Sequence, residues 1–158
     1  MYKMIVNADF ALKAVVHTQT MPWEKSPIEG VERKYLDRVG GEVAIASTVV
    51  KYAPNSSFTR HAHGGGEEIL VLDGVFSDEN GDYPAGSYLR NPPKSSHTPF
   101  SKKGCTLFVK LRHFHEGDLE SVRINTNTET WHQGMVPGLS VMPLHEFNGV
   151  GTALVKWA

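Results

Sequence analysis

A single cysteine, Cys105, excludes any intramolecular disulfide and fits a reducing, cytoplasmic compartment. Charge of either sign is also scarce. Lys plus Arg number 16 against 17 Asp plus Glu, for a net charge of −1. With no run of like charges, no basic stripe serves nucleic acid and no polybasic tail serves an anionic membrane. No stretch approaches the about 18 apolar residues of a membrane span. The N-terminal segment Met1 to Asp9 breaks its apolar run before a signal-peptide core forms. A Gly-rich phosphate loop and a nucleophile elbow are both missing, so nucleotide-dependent and serine-hydrolase chemistry find no support. These absences describe a soluble cytoplasmic protein that binds neither nucleic acid nor membrane.

Helical periodicity is equally scarce. No 3.6-residue stripe outlasts a turn or two, and Val31 to Asp37 is the best candidate for a short helix. Strand signals fill the gap. Gly41 to Ala53 alternates apolar and small residues, with Val43, Ile45 and Val49 on one parity. Ile69 to Leu72, then Asp73-Gly74, then Val75-Phe76 reads as a hairpin, since Asp-Gly accepts the positive φ of such turns. Glu79 to Asp82 reads as a second tight turn, and Tyr88–Arg90, Thr98–Phe100 and Thr106–Phe114 as further strands. Many short strands between Gly, Pro and Asp turns predict an all-β sandwich or barrel, and 158 residues suffice for one full domain.

The chain also repeats itself. Trp23, Gly30, Val31 and Leu36 recur 108 residues later as Trp131, Gly138, Leu139 and Leu144. After a contraction, Val49-Val50-Lys51-Tyr52-Ala53 recurs as Leu154-Val155-Lys156-Trp157-Ala158. This predicts one full unit over residues 1–120, followed by the opening strands of a second over 121–158. The apolar strands of that second part cannot close a barrel alone. They are expected to dock on the first barrel or to exchange with another chain as a homodimer.

Two segments concentrate metal-ligating chemistry. His61-Ala62-His63-Gly64-Gly65-Gly66-Glu67 closes on Gly74, and a second runs from Gly86 through Pro92 to His97. On a strand, alternate side chains share a face, so His61 and His63 point the same way and Glu67 keeps their parity. The glycine triplet lets the backbone bend the carboxylate back toward the imidazoles. His97 has to arrive from another strand. Imidazole and carboxylate suit Zn, Fe, Mn, Ni or Co, and four ligands do not choose among them.

The pattern Gly-x5-His-x-His-x3-Glu-x6-Gly, then Gly-x5-Pro-x-Gly-x2-His-x3-Asn, resembles that of the cupin superfamily. Here it runs through Asn55, His61, His63, Glu67 and Gly74, then Gly86, Pro92, Lys94, His97 and Ser101. Asn55 and Lys94 replace glycines and Ser101 replaces an asparagine. The longer words from His61 to Gly74, Arg90 to Pro93 and Leu107 to Arg112 are similar to those of ChrR-type anti-sigma cupin domains and their stand-alone relatives. The resemblance implies a double-stranded β-helix (jelly-roll) barrel with a mononuclear site on His61, His63, Glu67 and His97. The implied ion is a divalent transition metal, zinc first and Fe, Mn or Ni next. ChrR-type proteins hold their sigma factor with a separate helical His/Cys zinc module. That module is missing here, so sigma-factor binding is not expected.

The remaining residues receive plainer expectations. Glu68, of opposite parity to Glu67, should be a solvated charge; Arg90 and Arg112 should face outward; and Cys105 should be a buried thiol. His113 and His115 read as polar strand residues, and His17, His132 and His145 as surface or turn residues. Two functions follow: a metal-binding cupin with a regulatory or ligand-sensing role, or a small non-haem dioxygenase acting on a diketone or similar small molecule. No catalytic residue is assigned.

Overall fold

A computed structural model describes residues 4–41 and 43–158. Among these the chain is a succession of antiparallel strands, and no helix is long and apolar enough to cross a membrane. One sheet runs through Met4–Val6, Val31–Gly40, Ala44–Tyr52, Cys105–Leu111, the first half of Glu67–Asp78, Ser87–Asn91 and Val122–Asn125. Opposite it, the second half of Glu67–Asp78 pairs with Gly81–Pro84 and Phe100, and Phe100–Ser101 pairs with Ser56–Ser57. The result is an all-β jelly-roll barrel.

Two local readings need correction. Val31–Gly40 is a strand, because its alternate residues meet the barrel interior and Ala44–Tyr52 pairs along its length. Asp73-Gly74 is no hairpin turn. Glu67–Asp78 is continuous, and Gly74, at φ +73°, bends it from one sheet into the other. A Cβ at Gly74 would lie 2.2 Å from the Gly104 carbonyl oxygen, so no other residue fits. The turn at Glu79-Asn80 does close a hairpin, with Asp78 opposite Gly81.

Val31, Val50, Tyr52, Ile69, Val71, Phe76, Leu89, Leu107 and Val109 form the main buried cluster. On Ala44–Tyr52 the inward parity carries small residues, Ala44 and Ala46, while Val43 and Ile45 are exposed. That choice leaves an open space of about 560 Å³ inside the barrel.

The C-terminal strands repeat the backbone pattern of the N-terminal ones. The Gly30 carbonyl accepts from Ala53 N at 2.7 Å, and the Gly138 carbonyl from Ala158 N at 2.8 Å. Ser26 N reaches Val31 O at 2.9 Å, and Gly134 N reaches Leu139 O at 2.8 Å. A bulge falls between Tyr35 and Asp37 in one hairpin and between Pro143 and His145 in the other. Met142 and Leu144, both buried, pack with Tyr88, Leu70, Val122 and Ile124 on the outside of the barrel. The hairpin Leu139–Phe147 with Val150–Trp157 thus docks on its own chain. Val122–Asn125, which the repeat reading placed in the second unit, belongs to the first sheet through Ser87–Asn91.

Candidate metal centre

His61 and His97 face each other across a short antiparallel pair, His61–Ala62 against Ser96–His97. His63 continues the ladder, its N–H donating to Ser95 O at 2.9 Å while its carbonyl accepts from Lys94 N at 2.8 Å. Glu67 opens the next long strand. The four ligand atoms all lie within 4.8 Å of one another, so both sequence segments reach one point. The imidazole rings stand edge to face, with centroids 4.6 to 5.2 Å apart.

Each ring is oriented from behind. His61 Nδ1 lies 3.1 Å from Thr59 O, His63 Nδ1 2.9 Å from Ser95 Oγ, and His97 Nδ1 3.3 Å from Asp78 Oδ2. An Nδ1 proton held on such acceptors leaves the Nε2 lone pair free to bind a cation. Nε2 of His63 and of His97 are buried without an aligned hydrogen-bond partner, while lying 3.2 and 3.5 Å from Glu67 Oε2. Asn91 Nδ2 donates to the same carboxylate oxygen at 3.0 Å. Burial alone would raise the Glu67 pKa, yet His63, His97 and Asn91 together hold it below its ordinary value. Burial lowers that of His97. A carboxylate held ionised beside imidazoles whose buried nitrogens lack an aligned hydrogen bond is the donor set a divalent transition metal requires.

The glycine triplet serves a purpose other than bending. Only Gly66 has a positive φ, +81°. A Cβ on Gly65 would come within 2.6 Å of Arg112 Cγ, and one on Gly66 within 2.3 Å of the Phe114 ring. The glycines therefore make room for two side chains that lie over the motif. Arg112, expected on the solvated outside, instead lines the cavity beside the histidines, its own backbone at φ +63°.

Asn55 and Lys94, the two replacements of family glycines, both sit in the left-handed region, at φ +63° and +72°. Asparagine tolerates that conformation; lysine is strained there. Lys94→Gly is expected to gain about 0.5–1 kcal/mol, since relieved strain exceeds the entropy a glycine adds to the unfolded chain. Urea unfolding of the two proteins checks this. Ser101, fully buried, uses its hydroxyl to bond Val75 O at 2.6 Å.

Glu68 and Arg90 also depart from the sequence reading. Both are buried, and Arg90 Nη1 bonds Glu68 while Nη2 bonds Asp118 Oδ2 at 2.6 Å. Tyr88 Oη donates to Glu68 at 2.9 Å, and Asp118 Oδ2 lies 2.9 Å from Nε2 of His145. The outward face of this strand is not solvent, because the C-terminal hairpin covers it. His145 therefore leaves its expected surface position, whereas His17 and His132 are exposed. Cys105 is buried as expected, and burial pushes its thiol up to about 11. No sequence signal marked Asp78, Ser95 or Asn91 as supports of the site, since the fold alone brings them behind it.

The model of the ChrR cupin-like domain matches residues 12–115, and the chain belongs to that family. Among solved structures, the complex of Rhodobacter sphaeroides SigE with the anti-sigma ChrR aligns at 25% identity and a TM-score of 0.51, over 60% of this chain and 51% of that one. An RmlC-like cupin from Shewanella frigidimarina aligns at 16% identity and a TM-score of 0.52, over 66% and 95%. An acetylacetone dioxygenase from Acinetobacter johnsonii aligns at 16% identity and a TM-score of 0.58, over 77% and 91%. The chain spans about half the length of the first relatives it matches. No curated protein matches it.

Proposed function

We propose that this ChrR cupin-like protein holds one divalent transition metal, zinc first, on His61, His63, Glu67 and His97, and senses a small molecule that enters the cavity above it. One observation carries the reading: buried imidazole nitrogens without an aligned hydrogen bond crowd one carboxylate oxygen at the wall of an open space of about 560 Å³. A purely structural cluster would have its nitrogens paired and its space filled. When bound, the ion supplies Lewis acidity and, if it is iron, redox chemistry. Thr59, Ser95 and Asp78 fix the rings, Asn91 fixes the carboxylate, and apolar walls limit water.

The open cavity also favours the second reading, a dioxygenase, because a small organic molecule fits within reach of the four side chains. Elemental analysis of freshly purified protein, with oxygen uptake on small diketones and phenolic acids, separates the two. Stoichiometric zinc and no uptake after iron loading is the expected result. Bound iron with substrate-dependent uptake replaces sensing by turnover. No stoichiometric metal at all overturns both.

We further propose that residues 121–158 contain the opening strands of a second barrel unit, supported by the matched hydrogen bonds and bulges of the two hairpins. In the first unit Ala44–Tyr52 is paired on both edges, by Val31–Gly40 and Cys105–Leu111. Val150–Trp157 pairs, among the described residues, only with Leu139–Phe147, and Val155 and Trp157 are exposed. An open apolar edge favours a homodimer through a continuous sheet. Light scattering should find a dimer, and Val155→Lys with Trp157→Lys should yield a monomer of unchanged melting temperature. A monomeric parent protein counters the proposal.

A further inference from the structure

The cavity above the four metal-ligating side chains is unusual in its charge. Arg33, Arg38 and Arg112 all line it, while Glu67 is the only carboxylate lining it among the described residues. Elsewhere in the molecule the buried guanidinium of Arg90 is paired, with Glu68 and Asp118. Among the described residues, Arg33 and Arg112 have no such pair.

Their placement follows from specific features of the backbone. Arg33 shares the inward parity of Val31 and stands opposite Val50, another lining residue. A bulge after Tyr35 then shifts the parity, so that Arg38, opposite the buried Ala46, turns inward while Asp37 bonds Ser47 N at 2.9 Å. Without that bulge the acid would face the cavity in place of the base. Arg112 is held in a left-handed conformation, and Gly64 and Gly65 carry no side chains where its own lies. Left-handed backbone at a bulky residue is strained and persists where its surroundings impose it. Much of the remaining wall is apolar or aromatic, including Tyr35, Phe58, Leu107 and Val109.

We propose that the ligand of this cavity is a small organic carboxylate with an apolar or aromatic body, its anionic end held by Arg33 and Arg112 and its body against the aromatic wall. Planar guanidinium forks match carboxylate geometry, and an anion entering here pairs cations that no carboxylate of the described residues serves. The inference rests on the reading of the site as a metal centre, because it names what that centre would sense.

The test compares carboxylates with their neutral amides, acetate with acetamide, benzoate with benzamide and phenylpropionate with its amide. Binding is measured by calorimetry on the full chain, zinc-loaded and metal-free, with zinc content read on the same samples. At least one carboxylate with an aromatic body should bind about tenfold tighter than its amide, in both forms of the protein. Arg33→Gln and Arg112→Gln should each weaken it about tenfold, the worth of one charge-assisted hydrogen bond, with zinc content unchanged. Arg33→Lys should restore part of the affinity, which a loss through misfolding would not allow. No carboxylate preference, or a preference that the glutamine variants keep, overturns the inference even where zinc is bound. Arginine-dependent carboxylate binding by a protein that takes up no zinc overturns the metal reading and leaves the anion site standing.

Discussion

Zinc added to the metal-free protein should raise its melting temperature by about 5–10 °C once free zinc exceeds the dissociation constant a hundredfold. That excess is worth about 2.7 kcal/mol, and each kcal/mol moves a domain of this size by about 2–4 °C. His61→Ala should reduce the response to about 1 °C or less. Four ligands sharing the about 10–16 kcal/mol of a tetrahedral zinc site are worth two to three orders of magnitude in affinity apiece, which brings the same zinc to or below the new dissociation constant. His61 is the candidate ligand to remove first. It is the only one of the four that is not buried, so its loss disturbs the metal-free fold least. His97→Ala should abolish the response as well, with an added cost to the metal-free protein, since Asp78 loses its imidazole neighbour. A chelator should return the parent protein to its metal-free melting curve. A melting temperature that ignores zinc, iron and chelator alike removes the metal centre from this fold.

The convergence of His61, His63, Glu67 and His97 was legible in the sequence because strand parity and fixed spacing carry it. His61, His63 and Glu67 alternate on one face, and a proline corner returns His97. The barrel was legible for the same reason: short apolar alternations between turn residues leave few other solutions. What escaped notice depends on which element covers which face. Glu68 and Arg90 look like solvated charges only while nothing lies over their strand, and the covering hairpin comes from residues 139–157, far along the chain. Arg112 reads as an ordinary strand charge until its left-handed backbone turns it over the glycines. Arg38 faces inward only because of a bulge, and a one-residue insertion in a ladder leaves no mark in an alternating pattern. Asp73-Gly74 carries the residue signature of a hairpin turn, yet the same left-handed glycine also bends a continuous strand between two sheets.

Arg90→Met should destabilise the protein by about 3–5 kcal/mol, the usual consequence of stranding a buried charge partner. Here the substitution strands two. Glu68 and Asp118 are both buried, and among the described residues Arg90 is the only guanidinium bonded to either. The Phe114 ring, 4.0 Å from the guanidinium carbon, loses its cation as well. Melting should fall by about 6–20 °C. Adding Glu68→Leu to Arg90→Met should recover part of the loss, because one of the two unpaired carboxylates is then gone and the pair of changes is strongly non-additive. The effect should spread to the C-terminal hairpin. Asp118 meets His145 of that hairpin, and Tyr88, bonded to Glu68, packs with Met142 and Leu144. Hydrogen exchange in Leu139–Phe147 should therefore accelerate before exchange in Cys105–Leu111, the strand at the centre of the barrel sheet. Glu67 and Glu68 thus divide one strand between two tasks, its inner face building the candidate metal centre and its outer face anchoring the C-terminal hairpin. A loss below about 1 kcal/mol, the range of exposed ion pairs, would show that water reaches this network and that the hairpin does not seal it.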